Sequence, residues 1–145
     1  MLTIRAHQLA VLGQGSDRRF ISRAARYLGL RYPALVEDLP DDVVHDMVRG
    51  GMARARRYGI QNESALIAFL DLMFAIAPNF DEHPAITAML TDLQVPADER
   101  INRLVSRTAF ETWMDVCRDY DPFAWDVEFV RAQELLERRG DVGAG

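Results

Sequence analysis

Apolar positions recur along this chain at intervals of three and four, and nowhere does an alternating run last long enough to make a strand. The pattern is densest between Gly59 and Pro78. Of the thirteen residues from Ala65 to Ala77, Asp71 alone is not apolar. Gly59 suits the left-handed position that closes a preceding helix, Asn62 suits the cap of the next, and Pro78 stops it. A helix apolar around almost its whole circumference belongs in the middle of a bundle. Residues 62–77 are therefore the predicted buried central helix, with one carboxylate in it.

The flanking segments read the same way. Thr3 opens a first helix, and Gly13-Gln14-Gly15 either kinks it or divides it in two. Asp17 to Leu30 then carries Phe20, Ala24, Tyr27 and Leu28 on one face until Pro33 ends the stretch. Leu35 to Leu39 is a connector or a single helical turn. Asp41 is predicted to cap a helix in which Val44, Met47, Val48, Gly51, Met52, Ala55 and Tyr58 keep the three-four spacing. Arg54, Arg56 and Arg57 fall in its last turns, where positive charge opposes the helix dipole. Pro84 and Pro96 suit the first positions of two short helices ending near Leu90 and Arg107. Phe110 to Cys117 reads as helix, and Asp121-Pro122 opens a last one to about Arg139. The fold class expected is all-α: a single compact helical bundle of about six to eight helices. One domain is expected over residues 1–139, with residues 140–145 as a flexible tail, since Gly140-Asp141-Val142-Gly143-Ala144-Gly145 has little to bury.

Bulk properties narrow the function classes. A length of 145 residues suits one domain with a real core. The sole cysteine, Cys117, rules out an internal disulfide and disfavours a cysteine-ligated zinc. The N-terminus lacks the long apolar run of a signal peptide. The central apolar run is too short and acid-marked to cross a membrane, so a cytoplasmic protein without membrane attachment is expected. All seventeen basic residues are arginine, and the net charge is −5. That balance argues against nonspecific nucleic-acid binding. The charge comes in blocks, +5 over residues 1–31, −5 over 32–48, +4 over 49–57 and −7 over 58–99. Such alternation suits helices that lie against neighbours of opposite sign.

Candidate chemistry is sparse. A buried carboxylate needs a partner, and the hairpin before Asp71 offers Arg54 and Arg57; a structural buried ion pair of Asp71 with Arg54 or Arg57 is expected. His7, His45 and His83 show no metal-ligand spacing, and Gly13-Gln14-Gly15-Ser16 is neither a nucleophile elbow nor a phosphate loop. Cys117 reads as a half-buried packing residue. The clusters Arg18-Arg19-Arg23-Arg26 and Arg54-Arg56-Arg57 invite a helix-turn-helix reading, but the second helix would then be the apolar one, unfit to read a groove. No catalytic, metal or cofactor-binding residue is expected, and the chain is not read as an enzyme. Two places could hold a protein partner. One is the loop Asn79-Phe80-Asp81 between two prolines. The other is the aromatic C-terminal third, with Trp113, Phe123 and Trp125, of which Trp125 is expected to be the most exposed.

A resemblance adds a context. Arg54-Ala55-Arg56-Arg57-Tyr58-Gly59-Ile60, then Phe69-Leu70-Asp71-Leu72-Met73-Phe74 and Asn79-Phe80-Asp81, then Asp98-Glu99-Arg100-Ile101-Asn102-Arg103-Leu104 form a pattern similar to small helical proteins found beside type VI secretion genes of proteobacteria. It spans roughly residues 44–106 and brings no catalytic residues. The resemblance implies an adaptor or co-chaperone that helps load an effector, with the effector toxin or its chaperone as partner. An immunity protein that neutralises a cognate toxin is the alternative. A homodimer would be one way to cover an apolar face.

Overall fold

The computed structural model describes residues 6–125, with side chains from Asp17 onward. Seven α-helices lie among the described residues: α1 (Ala6–Arg31), α2 (Pro33–Val36), α3 (Asp41–Arg57), α4 (Glu63–Ala75), α5 (Pro84–Leu90), α6 (Ala97–Arg107) and α7 (Phe110–Arg118). Short 3-10 turns occupy Phe80–Glu82 and Pro122–Trp125. No strand occurs among the described residues, as the all-α reading requires. The predicted cap at Thr3, the last helix beyond Trp125 and the tail 140–145 lie outside the described residues.

Local chemistry sets most of the boundaries. Asn62 caps α4, its Oδ1 accepting from the Ala65 amide at 2.8 Å. Gly59 closes α3 with φ of +85°, a conformation that costs a side-chain-bearing residue ~1–2 kcal/mol. Pro84 starts α5, and His83 Nδ1 accepts from the Ala85 amide at 3.2 Å. Three expectations change. Pro96 is the cap residue of α6 and not its first helical position. α1 runs unbroken through Gly13 and Gly15, so the glycines do not divide it. The cap position of α3 is Pro40, so Asp41 sits inside the first turn and makes no capping bond.

α4 occupies the centre, packed on α1, α3 and α6. Leu66, Phe69, Leu70, Met73 and Phe74 are buried, and Ile67, Ala68 and Leu72 pack against the same core. Each fully buried side chain of this size contributes roughly 1.5–3 kcal/mol. The α3–α4 crossing is close because Gly51 has no side chain: a Cβ there would lie 2.5 Å from Leu70 Cδ2 and 2.7 Å from Met73 Sδ.

Two polar ties hold the α3–α4 turn to the second half of the bundle. Asp98, in the first turn of α6, accepts from the amides of Gln61 and Asn62 at 2.9 and 3.2 Å. Arg100 is buried, and its guanidinium donates to the carbonyls of Val95, Tyr58 and Leu90 at 2.9, 2.9 and 3.0 Å. No helix among the described residues is long and apolar enough to cross a membrane.

Candidate functional site

The loop after α4 folds inward. Phe80 is fully buried, its ring 4.8 Å from that of Phe69, and Asn79 and Asp81 are buried beside it. Asn79 Nδ2 donates to the Asp119 carbonyl at 2.8 Å, and its Oδ1 accepts from the Asp121 amide at 3.0 Å. Asp81 accepts from the Tyr58 hydroxyl at 2.8 Å and from Arg54 Nη1 at 3.2 Å. The prolines on either side suggested a surface loop, but the segment is core. Asn79, Phe80 and Asp81 are therefore not an available docking surface; their side chains stitch α3 to the end of α7.

The expected pair of Asp71 with Arg54 or Arg57 does not form. Arg54 serves Asp81, the Pro78 carbonyl and, through Nη2 at 2.9 Å, the Ala124 carbonyl. Arg57 is exposed. Asp71 is only partly buried and faces the C-terminal end of α1, where it accepts from the hydroxyls of Tyr32, just past the helix, at 2.7 Å and Tyr27 at 3.1 Å, with Arg31 Nε at 3.4 Å. The wheel explains the difference. Leu70 and Met73 meet Gly51 of α3, and Asp71 lies about 100° around the helix from Leu70, toward α1.

Burial, the hydrogen bond to Asp81 and the negative charge there push the Tyr58 hydroxyl well above the ordinary tyrosine value. A tyrosine held neutral between a carboxylate and a guanidinium donates a structural bond here. Among the described residues no three His, Cys, Asp or Glu side chains gather as a metal site.

The aromatic C-terminal third divides. Trp125 is buried at 7% exposure, edge-on to Phe74 at 4.9 Å, with Nε1 donating to the Tyr120 hydroxyl at 3.0 Å. The expectation that it is the most exposed aromatic is thus reversed. Trp113 is partly buried against the core. Phe123 stands out at 66% exposure. The larger surface comes from α7, where Phe110 is 72% exposed and Met114 and Cys117 are exposed with it. Cys117 is not the half-buried packing residue expected.

The sequence carried a signal for this surface. Met114, Phe110, Cys117, Trp113 and Val116 together cover an arc of roughly 160° on the helical wheel. A nine-residue helix at the edge of a bundle can bury only part of such an arc. Val116 is buried and Trp113 partly so; Phe110, Met114 and Cys117 continue the arc outward. Phe123 and Tyr120, after α7, are exposed as well. Compared with protein-family models, curated proteins and solved structures, the chain matches none.

Proposed function

We propose that this protein is a non-enzymatic protein-interaction module, an adaptor or co-chaperone for a type VI secretion effector. The observation that carries the binding role is the exposed apolar arc of α7, Phe110–Met114–Cys117. Contiguous exposed apolar surface on a small protein marks a contact site more often than scattered single residues do. Aromatic side chains dominate the energetics of such contacts. The charged groups most deeply placed among the described residues, Asp81, Arg54 and Arg100, spend their hydrogen bonds on the fold itself. The secretion context rests on the resemblance over residues 44–106 alone.

The test is affinity capture from the native host with wild-type protein and with Phe110→Asp/Met114→Asp, followed by mass spectrometry. Recovery of a toxin together with a chaperone or spike-tip protein, lost in the variant, supports the adaptor. A toxin recovered alone at one-to-one stoichiometry moves the reading to an immunity protein. Equal recovery by both proteins refutes the α7 surface.

A further inference from the structure

The charge blocks of the sequence do not meet neighbours of opposite sign throughout. α1 packs along α3, whose C-terminal half carries the basic 49–57 block and whose N-terminal half carries Asp41, Asp42 and Asp46; the end of the 1–31 block near Arg18 thus lies beside Arg49 and Arg56. Between the two helices runs an open groove of about 600 Å³ near Ile21, Met52 and Arg56, continued by a second hollow of about 360 Å³ toward Leu30 and Leu39. Ser22 and His45 line both parts. On α1 the groove is shaped by small residues, Ser22, Ala25 and Gly29, which leave a trench beside α3 and α2. Its floor is apolar, and Leu30 lies 76% exposed at one end.

The rim carries Arg18, Arg26, Arg49 and Arg56, with Asp17 and Asp41 beside them. Arg56 is held by Asp17 through two bonds of 2.7 and 3.0 Å, and Arg49 by Asp46. Arg18 and Arg26 form no ion pair among the described residues, and both are exposed. They are eight residues apart on α1, about 12 Å along its axis. From Asp17 to Leu30 the groove follows α1 for about 20 Å, the length of three to four helical turns.

We propose that this groove is a second docking surface and that its occupant is an amphipathic helical segment of a protein partner, apolar on one face and flanked by acidic residues. The apolar floor would take the hydrophobic face, as in other helix-in-groove contacts, and Arg18 and Arg26 would pair with the flanking carboxylates. A nucleic acid fits less well, because it offers no apolar face for the floor. The proposal rests on the protein-binding reading and gives the adaptor a second contact distinct from α7.

The experiment is fluorescence anisotropy on the full chain with three probes. One is a labelled amphipathic peptide of about fourteen residues, long enough to fill the groove, with leucines on one face and glutamates beside them. The second is the same peptide with lysine for glutamate, and the third a DNA duplex of similar length. Saturable binding of the acidic peptide is expected, with affinity reduced about tenfold or more, at least ~1.4 kcal/mol, in Arg18→Glu/Arg26→Glu. Ser22→Trp, which fills the junction of the two hollows from an exposed position, should reduce it similarly; thermal melts verify that both variants are folded. No binding of the acidic peptide, equal binding of the basic one, tighter binding of the duplex, or folded variants that bind like wild type would each overturn the groove. Peptide binding lost in Phe110→Asp but retained in the arginine variant places the peptide on α7, which sinks this proposal and leaves the protein-binding reading standing.

Discussion

Arg54 offers the sharpest test of how the inward-folded loop is held. Its guanidinium donates to Asp81 at 3.2 Å, to the Pro78 carbonyl and to the Ala124 carbonyl at 2.9 Å. The Asp81 side chain is 5% exposed and that of Arg54 20%. In Arg54→Met the Asp81 carboxylate keeps the Tyr58 hydroxyl at 2.8 Å as its remaining side-chain partner, and two carbonyls lose a charged donor. Removing one member of a buried pair costs ~3–5 kcal/mol. Water reaches the partly open Arg54 side, which places the expected loss near the lower figure, about 3 kcal/mol. Asp81→Asn keeps an acceptor for Tyr58 but leaves the guanidinium without its counter-charge, an expected loss of about 2 kcal/mol. The double variant strands neither charge, so its loss should fall short of the sum by about 1.5 kcal/mol. Urea unfolding of the four proteins at neutral pH, with m-values unchanged, measures this. Losses that add to within ~0.5 kcal/mol would refute the pairing and with it the account of why the loop is core.

Four further outcomes follow from the same packing. Phe80→Ala should lower stability by ~3–5 kcal/mol, since the ring is fully buried against Phe69, while partner capture by the folded fraction stays unchanged; a small melt shift with lost capture would return Phe80 to the surface. Gly51→Ala should destabilise by a net ~1–2 kcal/mol despite the better helix propensity of alanine, because Leu70 and Met73 are enclosed and have little room to withdraw; a stabilised variant in the same urea assay would contradict the close crossing. Tyr58, Tyr32 and Tyr27 all titrate above the ordinary value of 10.0, first through burial and then through bonds to Asp81 or Asp71. Their stabilisation is intact below that value and is lost as pH rises through the raised folded values, so unfolding free energy should fall above pH ~10 and tyrosinate absorbance of the native protein should lag that in urea; superimposable titrations would exclude it. Arg100→Lys should cost ~2–3 kcal/mol in a thermal or urea melt, because one ammonium cannot span three carbonyls on separate segments, and an unchanged melt would show that the fork is dispensable.

The legible parts of the fold were those written in local chemistry. The apolar run from Ala65 to Ala77, the Asn62 cap, the Gly59 stop and Pro84 each act within a few residues, and each appears where the pattern put it. Tertiary context decided the rest. Helicity carried α1 through Gly13 and Gly15, where propensity alone allowed a break. Asp71 found its partners at the C-terminal end of α1, some forty residues away in sequence, rather than on the neighbouring hairpin. The prolines around Phe80 suggested a surface loop, yet Arg54 and Asn79 supply the polar bonds that let it turn inward. The α7 arc was visible as too many apolar residues on one short helix, but only packing shows which edge of that arc the core takes.

The arginine-only basic composition now has two separable meanings. At Arg54 and Arg100 the side chain is a spacer with a fork, reaching acceptors on segments that no single point donor could serve together. Those positions follow from folding. Along the α1–α3 groove we propose that the same residue type serves a partner. Arg18 of α1 and Arg49 and Arg56 of α3 line the same hollow, and like charge brought together opposes compaction. Asp17 and Asp46 neutralise Arg56 and Arg49, but Arg18 and Arg26 have no such counter-charge among the described residues. A chain with net charge −5 and a largely acidic stretch from residue 58 to 99 had acids enough to alternate the two helices. Natural sequences tend to break their own local consistency where a site must be kept open for something else. An unbalanced arginine rim over an apolar trench is such a break, and an acidic helix laid into the groove would restore the balance that the α1–α3 pairing lacks.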